Sequence, residues 1–488
     1  MLSDSDDFVV EKEISYSINF SQDVLYKILD SYIVTNYHLT QQYCDLYDEN
    51  DVRTRIFCGG NTNTNGDDHN GPNNSGGYDD NGQIISIKKT QLKYEKFAHW
   101  CSNTNILVPF VWRESKEHAV SFKNVSQKLH KIIHVFVYVH ENVEIKFEQV
   151  YLWKSCADFF DSMTANKVVK LLNLLENSAQ TYSEIMQNSQ LGSDEILCRI
   201  RLEYEFDTAT PNVEHLNGMC QIIVAMEQFS DHQNISPCLP YTALLDKIIL
   251  RKFEHEQKIS YSDKQLNNND DLVKKWAFKL DGVRGRGLFI RNFCLIQTDD
   301  MKFYSTKLAK LFKLNNIVTF QCEIMETNQI FITDLLQIFK YKYNNRTQYE
   351  CVTNSFYAID PMTAIECINY FNVHVKSIML TDTKTKYEML FQKFFDPPLC
   401  QSSYSTFAVD GYIILDSALR YVKYKWNKTI ELEYDERSDM FNSLSGPLSN
   451  HAICANDISL KHGSIYECAL FDNVIKVLKH RPDRLVPN

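Results

Sequence analysis

Lys279 opens the run KLDGVR, residues 279 to 284, and has the neighbours that a nucleophilic amine needs. An acidic turn follows it, Arg284 lies nearby, and Trp276 and Phe278 precede it with a partly dry setting. A lysine side chain ordinarily keeps its proton up to about pH 10.4, but burial and neighbouring cations free the lone pair for attack on phosphorus or carbon. Asp-Gly is also a common turn signal, so this run alone more often describes a surface lysine before a β-turn. The case for chemistry rests on what accompanies it.

A second group of reactive residues lies in the first half of the chain. VVEKEISYSINF alternates apolar and polar residues, placing Glu11 and Glu13 side by side on one face of a strand. ILCRIRLEYEF repeats the pattern, with Arg199, Arg201, Glu203 and Glu205 on one parity and Ile200, Leu202, Tyr204 and Phe206 on the other. Between them, VRTRIF offers Arg53 and Arg55, IISIKKT offers Ser86 and Lys88, and FVWRESKEHAV offers Arg113, Ser115 and Glu117. IIHVFVYVH and VEIKFEQVYLW supply two further strands. A solvated edge explains one such strand. Closed into a barrel with the polar faces inward, the set gives a lumen where carboxylates suit a hard divalent cation and the basic groups suit a polyphosphate.

The composition bounds these readings. A chain of 488 residues accommodates two or three domains with sizeable cores, and a net charge of −11 excludes nucleic-acid coating by bulk charge. Fourteen cysteines without a CxxC pair or a Cys/His ligand spacing argue against a structural zinc site and suit a reducing compartment. No apolar run approaches a membrane span and the start MLSDSDDF is unlike a secretory signal, so an intracellular, soluble protein with no membrane partner is expected. Residues 59 to 82, rich in Gly, Asn and Asp, read as a disordered insert joining two strands. Thr164 reads as an N-cap, ATPNVEHLNGMCQIIVAMEQF and YTALLDKIILRKF as helices, and QLNNNDD as a spacer before Lys279.

Beyond Lys279, GRGLFIRN continues the strand across Gly285 and Gly287, where a nucleotide could approach closely. Glu323 lies inside the apolar strand IVTFQCEIME, Asp334 in IFITDLL, and Asp360 caps a helix that begins with Pro361. Asp410 precedes Gly411 at a strand start in FAVDGYIIL. Lys423 and Lys425 share one face of RYVKYKWNK, and the chain closes on RPDRLVPN with Arg481, Asp483 and Arg484. Singly, each reads as a turn, a solvated face or a basic tail.

In order, the lysine run, the strand glutamate, Asp-Gly, Lys-x-Lys and RPDR resemble the covalent nucleotidyltransferases, the superfamily of mRNA capping guanylyltransferases and polynucleotide ligases. The ending is similar to the R-x-D-K-x-x-P-N of capping guanylyltransferases, with Arg484 in place of the lysine. The Glu-x-Glu strands resemble the metal-dependent tunnel-type RNA triphosphatases of fungi and DNA viruses. Both halves in one chain resemble the late expression factor 4 family of baculoviruses, the capping subunits of the viral RNA polymerase.

That resemblance implies an α+β multidomain fold. It places an antiparallel β-barrel triphosphatase tunnel at 1–215, a nucleotidyltransferase domain at 216–430 and an OB-like lid at 431–488. It makes Lys279 the residue that holds GMP, with Arg284 and Glu323 orienting the nucleotide, and Asp410 serving the metal or phosphate. Lys423 and Lys425 would clamp the α-phosphate, and Arg481, Asp483 and Arg484 the pyrophosphate. Phe303 or Tyr304 would stack on guanine. Glu11, Glu13, Glu203 and Glu205 would hold Mg²⁺ or Mn²⁺, with Arg53, Arg55, Lys88 and Arg113 on the RNA triphosphate. The implied partners are GTP, the nascent RNA 5′ end and other subunits of a viral RNA polymerase, in the host cell nucleus. An ATP-dependent RNA or DNA ligase, and a non-catalytic polymerase subunit retaining the fold, are the alternatives.

Overall fold

A computed structural model of the chain describes residues 8–18, 20, 22–57, 84–126, 129–150, 197–229, 244–258, 273–308, 311–312, 314, 316–344, 349–380, 386–399, 407–426, 429–481, 484 and 486–487. The insert at 59–82, the helix expected after Thr164, the spacer QLNNNDD and Asp483 lie outside these residues. Two compact units result, one built mainly from residues 1–239 with 339–357, the other mainly from 240–312, 316–338 and 358–488.

Among the described residues, eight strands form the barrel of the first unit: β1 (Phe8–Ile18), β2 (His38–Asp48), β3 (Val52–Phe57), β4 (Ile84–Cys101), β5 (Ile106–Ala119), β6 (Leu129–His140), β7 (Val143–Val150) and β8 (Leu197–Glu205). Every neighbouring pair is antiparallel, and the order β1-β5-β4-β3-β2-β6-β7-β8 returns to β1, so the sheet is a closed barrel without a free edge. Asp51, Asn105 and Glu141 make the tight connections, each with positive φ. The outward apolar parity of β1, Ile14, Tyr16 and Ile18, packs in one core with Leu25, Ile28 and Leu29 from an N-terminal helical segment. Leu216, Met219, Ile223 and Met226 of the helix Val213–Glu227 join that core. Asn212 caps the helix by accepting from the Glu214 N–H. The polar parity is thereby left facing the lumen.

In the second unit, β9 (Glu254–Lys258), β10 (Val273–Leu280), β11 (Val283–Ile290), β12 (Phe293–Thr298), β13 (Phe303–Lys307), β14 (Asn316–Ile324) and β15 (Gln329–Asn344) come first. β15 crosses into the first unit, which also takes most of β16 (Tyr349–Ala358); β17 (Ser377–Leu380), β18 (Tyr387–Phe391), β19 (Val409–Asp416) and β20 (Tyr421–Lys425) follow. The carboxylate of Asp360 caps the helix Pro361–His374 by accepting from the Thr363 N–H at 3.0 Å, as its sequence predicts. The chain does not run straight on from Lys279: it turns at Asp281 and Gly282, and β11 pairs with β12 and β14 while β10 joins β19, β20 and β9. YTALLDKIILRKF is not helical to its end, since Ile248 to Phe253 form no regular element.

A small C-terminal sheet contains β21 (Thr429–Asp435), β22 (Met440–Ser443), β23 (Gly446–Pro447), β24 (Ala452–Cys454), β25 (Ile465–Phe471) and β26 (Val474–His480), in the order β23-β22-β21-β25-β26-β24. Leu432, Phe441, Tyr466, Cys468, Ile475 and Val477 form its own core. Among the described residues no helix is long and apolar enough to cross a membrane.

Candidate active sites

Register fixes which side chains meet inside the barrel, because directly opposed residues on paired strands share a face. Glu13 opposes Glu205 and Ser15 opposes Glu203, while Glu13 opposes Arg113 on the other side. Glu203 in turn opposes Glu144 on β7, and Arg201 opposes Lys146. All four expected glutamates therefore share the inward parity, and Glu11, Glu13 and Glu203 each pair with a cation. Arg113 donates to the Glu13 carboxylate at 2.8 Å and to the Ser15 hydroxyl at 2.7 Å. Lys89 bridges Glu11 and Glu117, and Lys146 bridges Glu203 and Glu144. Arg201 reaches Glu203 at 2.7 Å and Glu148 at 3.1 Å, and Arg199 also pairs with Glu148.

The expected basic groups divide. Arg55 pairs twice with Asp45, at 2.8 and 3.0 Å, and stacks over Tyr43, and Arg53 approaches Glu117 at 3.6 Å. Lys88 is exposed and opposes Val52 and His118, on the strand face away from Arg53 and Arg55. Its neighbour Lys89 occupies the lumen instead, in the same parity as Ile85 and Ile87. Part of the lumen is apolar, lined by Tyr43, Ile133, Val135 and Val137, so polarity along β4 does not mark the inward face.

Proton affinities record the crowding. Burial and the nearby Glu203 raise the Glu13 carboxyl, against the pull of Arg201 and Arg113. Glu205 is open to solvent on one side, yet the protein wall around it and the charge of Glu11 push it up to about 7. Burial also acts to raise Glu203, but Arg201 and Lys146 outweigh it and hold the carboxyl well below the usual range. Four carboxylates on adjoining strands, two of them reluctant to ionise, are the donor chemistry that a hard divalent cation satisfies. Among the described residues no three such side chains already converge on one point; lysines and arginines hold them apart.

The second site is a cavity of about 610 Å³ in the second unit. Its floor is a single row across three strands, Lys279 opposite Gly411 and Gly411 opposite Lys425. A Cβ on Gly411 would lie 1.9 Å from the Tyr424 carbonyl oxygen, so only glycine lets the two lysines share this row. Behind the row, Trp276 and Tyr412 with Phe278, Phe395 and Trp426 form an aromatic layer. It backs the side of the sheet opposite the lysines.

The Lys279 ammonium is held by both Asp410 oxygens, at 2.6 and 2.7 Å. Burial raises the Asp410 carboxyl, with Lys279 opposing the shift. Glu323 accepts from the Gly282 N–H at 3.1 Å. Burial pushes its carboxyl up to about 7 even though Lys279 pulls it down. Arg284 pairs with Asp299 at the cavity's edge, and Lys423 lies 4.3 Å from the Phe253 ring centre. Just after the C-terminal sheet, Arg481 bonds Glu431 and Glu467 at 3.0 and 3.2 Å and Arg484 bonds Glu431 at 3.0 Å, and from its last strand Lys479 pairs with Asp281.

Lys279, Arg284, Glu323, Asp410, Lys423, Lys425, Arg481 and Arg484 thus line one cavity. Phe303 and Tyr304 do not; the aromatic rings on its wall are Phe253, Phe394 and Tyr421. Asp334 is held by Arg251 at 2.6 Å, and Arg251 also donates to the Leu335 and Ile359 carbonyls, a structural tie between chain segments. The glycines expected to admit a nucleotide are filled over. A Cβ on Gly285 would meet Cys322 at 2.9 Å and one on Gly287 would meet Phe320 at 2.4 Å, so these glycines serve sheet packing. The residues that sequence reasoning missed are Lys89, Lys146, Glu148, Lys479, Glu431 and Glu467. Of these, Lys146 and Glu148 carried a signal in the alternation of Glu144, Lys146 and Glu148.

The family model described as Late expression factor 4 (LEF-4) matches residues 11–488. The chain is 60% identical over 485 residues to the mRNA capping enzyme LEF-4 of Autographa californica nuclear polyhedrosis virus, covering 99% of this chain and 100% of that protein. It is 46% identical over 483 residues to the mRNA capping enzyme LEF-4 of Orgyia pseudotsugata multicapsid polyhedrosis virus, covering 99% of each. Among solved structures, the S. pombe Pct1 RNA triphosphatase overlaps 46% of this chain and 82% of its own at 12% identity and a TM-score of 0.21, too low to carry an argument.

Proposed function

This chain belongs to the late expression factor 4 family, and on that footing we propose that it is a bifunctional mRNA capping enzyme acting on GTP and the nascent RNA 5′ end. The observation that carries the reading is the convergence of Lys279, Asp410, Glu323, Lys425 and the tail arginines on one cavity. In the proposed guanylyl step, the Lys279 amine forms a bond to the α-phosphorus of GTP and the bond to the pyrophosphate oxygen breaks. Asp410, which already holds the amine, takes its proton. Lys423 and Lys425 meet the charge that builds on the α-phosphate, and Arg481 and Arg484 meet the departing pyrophosphate. Attack by the RNA 5′-diphosphate then forms the cap and returns the lysine.

The barrel is proposed to supply that diphosphate by removing the RNA γ-phosphate. Glu11, Glu13, Glu203 and Glu205 would hold Mg²⁺ or Mn²⁺, which neutralises phosphate charge and activates water when bound. Arg53, Arg55, Arg113, Lys89 and Lys146 orient the triphosphate and exclude competing water. We assign the triphosphatase to 1–215, the nucleotidyltransferase to 216–430 and the OB-like lid to 431–488. We place the chain in a viral RNA polymerase in the host nucleus, as its family implies. Lys279→Ala should abolish a covalent GMP adduct and spare γ-phosphate release, while Glu11→Ala should do the converse. Loss of both activities in either variant, or labelling by ATP in preference to GTP, would contradict the proposal.

A further inference from the structure

The proposed cavity brings Lys425, Lys479 and Arg481 together around one side chain that the reaction scheme leaves without a task. Glu467, on β25, is 6% exposed. Its carboxylate bonds Arg481 at 3.2 Å, lies 3.6 Å from the Lys425 ammonium and 3.7 Å from that of Lys479, and accepts from Thr429. Register explains the cluster, since Glu467 opposes Lys479 on β26 and Glu431 on β21. Lys479 also reaches Asp281, two residues beyond Lys279. One carboxylate therefore joins a core lysine, the C-terminal sheet and, through Lys479, the loop of the nucleophile.

Burying a carboxylate among cations is a poor way to gain stability, because an apolar residue of similar volume often does as well. It is a good way to hold like charges close together. Glu431 also bonds Arg481 and Asp281 also pairs with Lys479, but Glu467 is the carboxylate that all three cations share, and without its charge Lys425, Lys479 and Arg481 would repel one another more strongly across the cavity. Building on the function proposed above, we propose that Glu467 is a positioning residue for guanylyl transfer, which acts through Arg481 by holding its guanidinium where the pyrophosphate of GTP leaves.

The test is a double-mutant cycle on the rate of Lys279–GMP formation by the full chain, with GTP and a divalent cation. Glu467→Gln removes the charge and keeps the shape, and should slow adduct formation about tenfold, the worth of one charge-assisted hydrogen bond. Glu467→Asp, which keeps the charge, should recover part of the rate. In an Arg481→Ala background, Glu467→Gln should cost less than about threefold more, because its target is already gone. A merely structural role predicts the opposite, with the two losses multiplying, and that outcome overturns the proposal. So does an unchanged rate in Glu467→Gln. Should that variant fail to fold by circular dichroism, the same cycle run with Glu467→Asp decides the question by the same criterion. Absence of any adduct in the unmodified chain would instead overturn the guanylyltransferase reading, and this inference with it.

Discussion

Glu323→Gln should make the folded protein more stable at pH 8 while impairing nucleotide transfer. Burial lifts the Glu323 carboxyl from 4.5 to about 7, with Lys279 and the Gly282 N–H only partly offsetting it. Between those values the folded state binds a proton that the unfolded chain has released, so stability falls as pH rises from 4.5 to about 7 and stays lower above it. At about 1.4 kcal/mol per factor of ten in proton affinity the gap amounts to roughly 3 kcal/mol, and water reaching the cavity screens it to about 2 kcal/mol. Glutamine keeps the acceptor for Gly282 and carries no charge. Thermal unfolding without nucleotide should therefore show the variant melting about 4–8 °C above the unmodified chain at pH 8, and near it at pH 5. An equal difference at both pH values, or none at pH 8, would refute the reasoning. If Glu323 orients the nucleotide as proposed, the same variant should form the GMP adduct at least about tenfold more slowly.

Gly411→Ala should destabilise the protein by about 2 kcal/mol or more, because the added methyl would sit 1.9 Å from the Tyr424 oxygen. Adduct formation should fall with it as the Lys279–Lys425 row spreads, a result checked by melting temperature and GMP labelling together. Lys146→Met takes an ion-pair partner from the Glu203 carboxylate, 2% exposed, and leaves it Arg201, which Glu148 shares, with Lys89 acting from further away. The expected cost is about 3 kcal/mol, read by denaturant unfolding. Lys89→Ala should slow γ-phosphate release at least about tenfold whereas Lys88→Ala stays within about twofold, which steady-state phosphate release at fixed metal resolves.

The strands and their inward faces were legible wherever charge alternated with apolar residues over a full strand, as in β1 and β8, because one barrel face packs on helices while the other lines the charged lumen. Alternation misled at β4. There Ile85 and Ile87 share the inward parity, opposite Arg55 and Arg53 on β3, and the inward lysine is 89. The motif residues of the second half were legible because each is tied to a local feature, a turn, a strand start or a paired-lysine face. Lys479, Glu431 and Glu467 were not. Their significance comes from partners far away in sequence, such as Asp281 for Lys479, and nothing in the composition of β25 or β26 announces such pairing. Gly285 and Gly287 show the same limit, since what fills the space above them is decided by strands beginning at Phe293 and Asn316.

The central claim is that the Lys279 amine becomes bonded to a guanine nucleotide. Its most direct test is to incubate the full chain with labelled GTP and Mg²⁺ or Mn²⁺, denature it, and map the label by peptide mass. The account predicts GMP on Lys279, released by acid as a phosphoramidate should be and absent from Lys279→Ala. Label on any other residue, or none under conditions where RNA γ-phosphate is released, would contradict it.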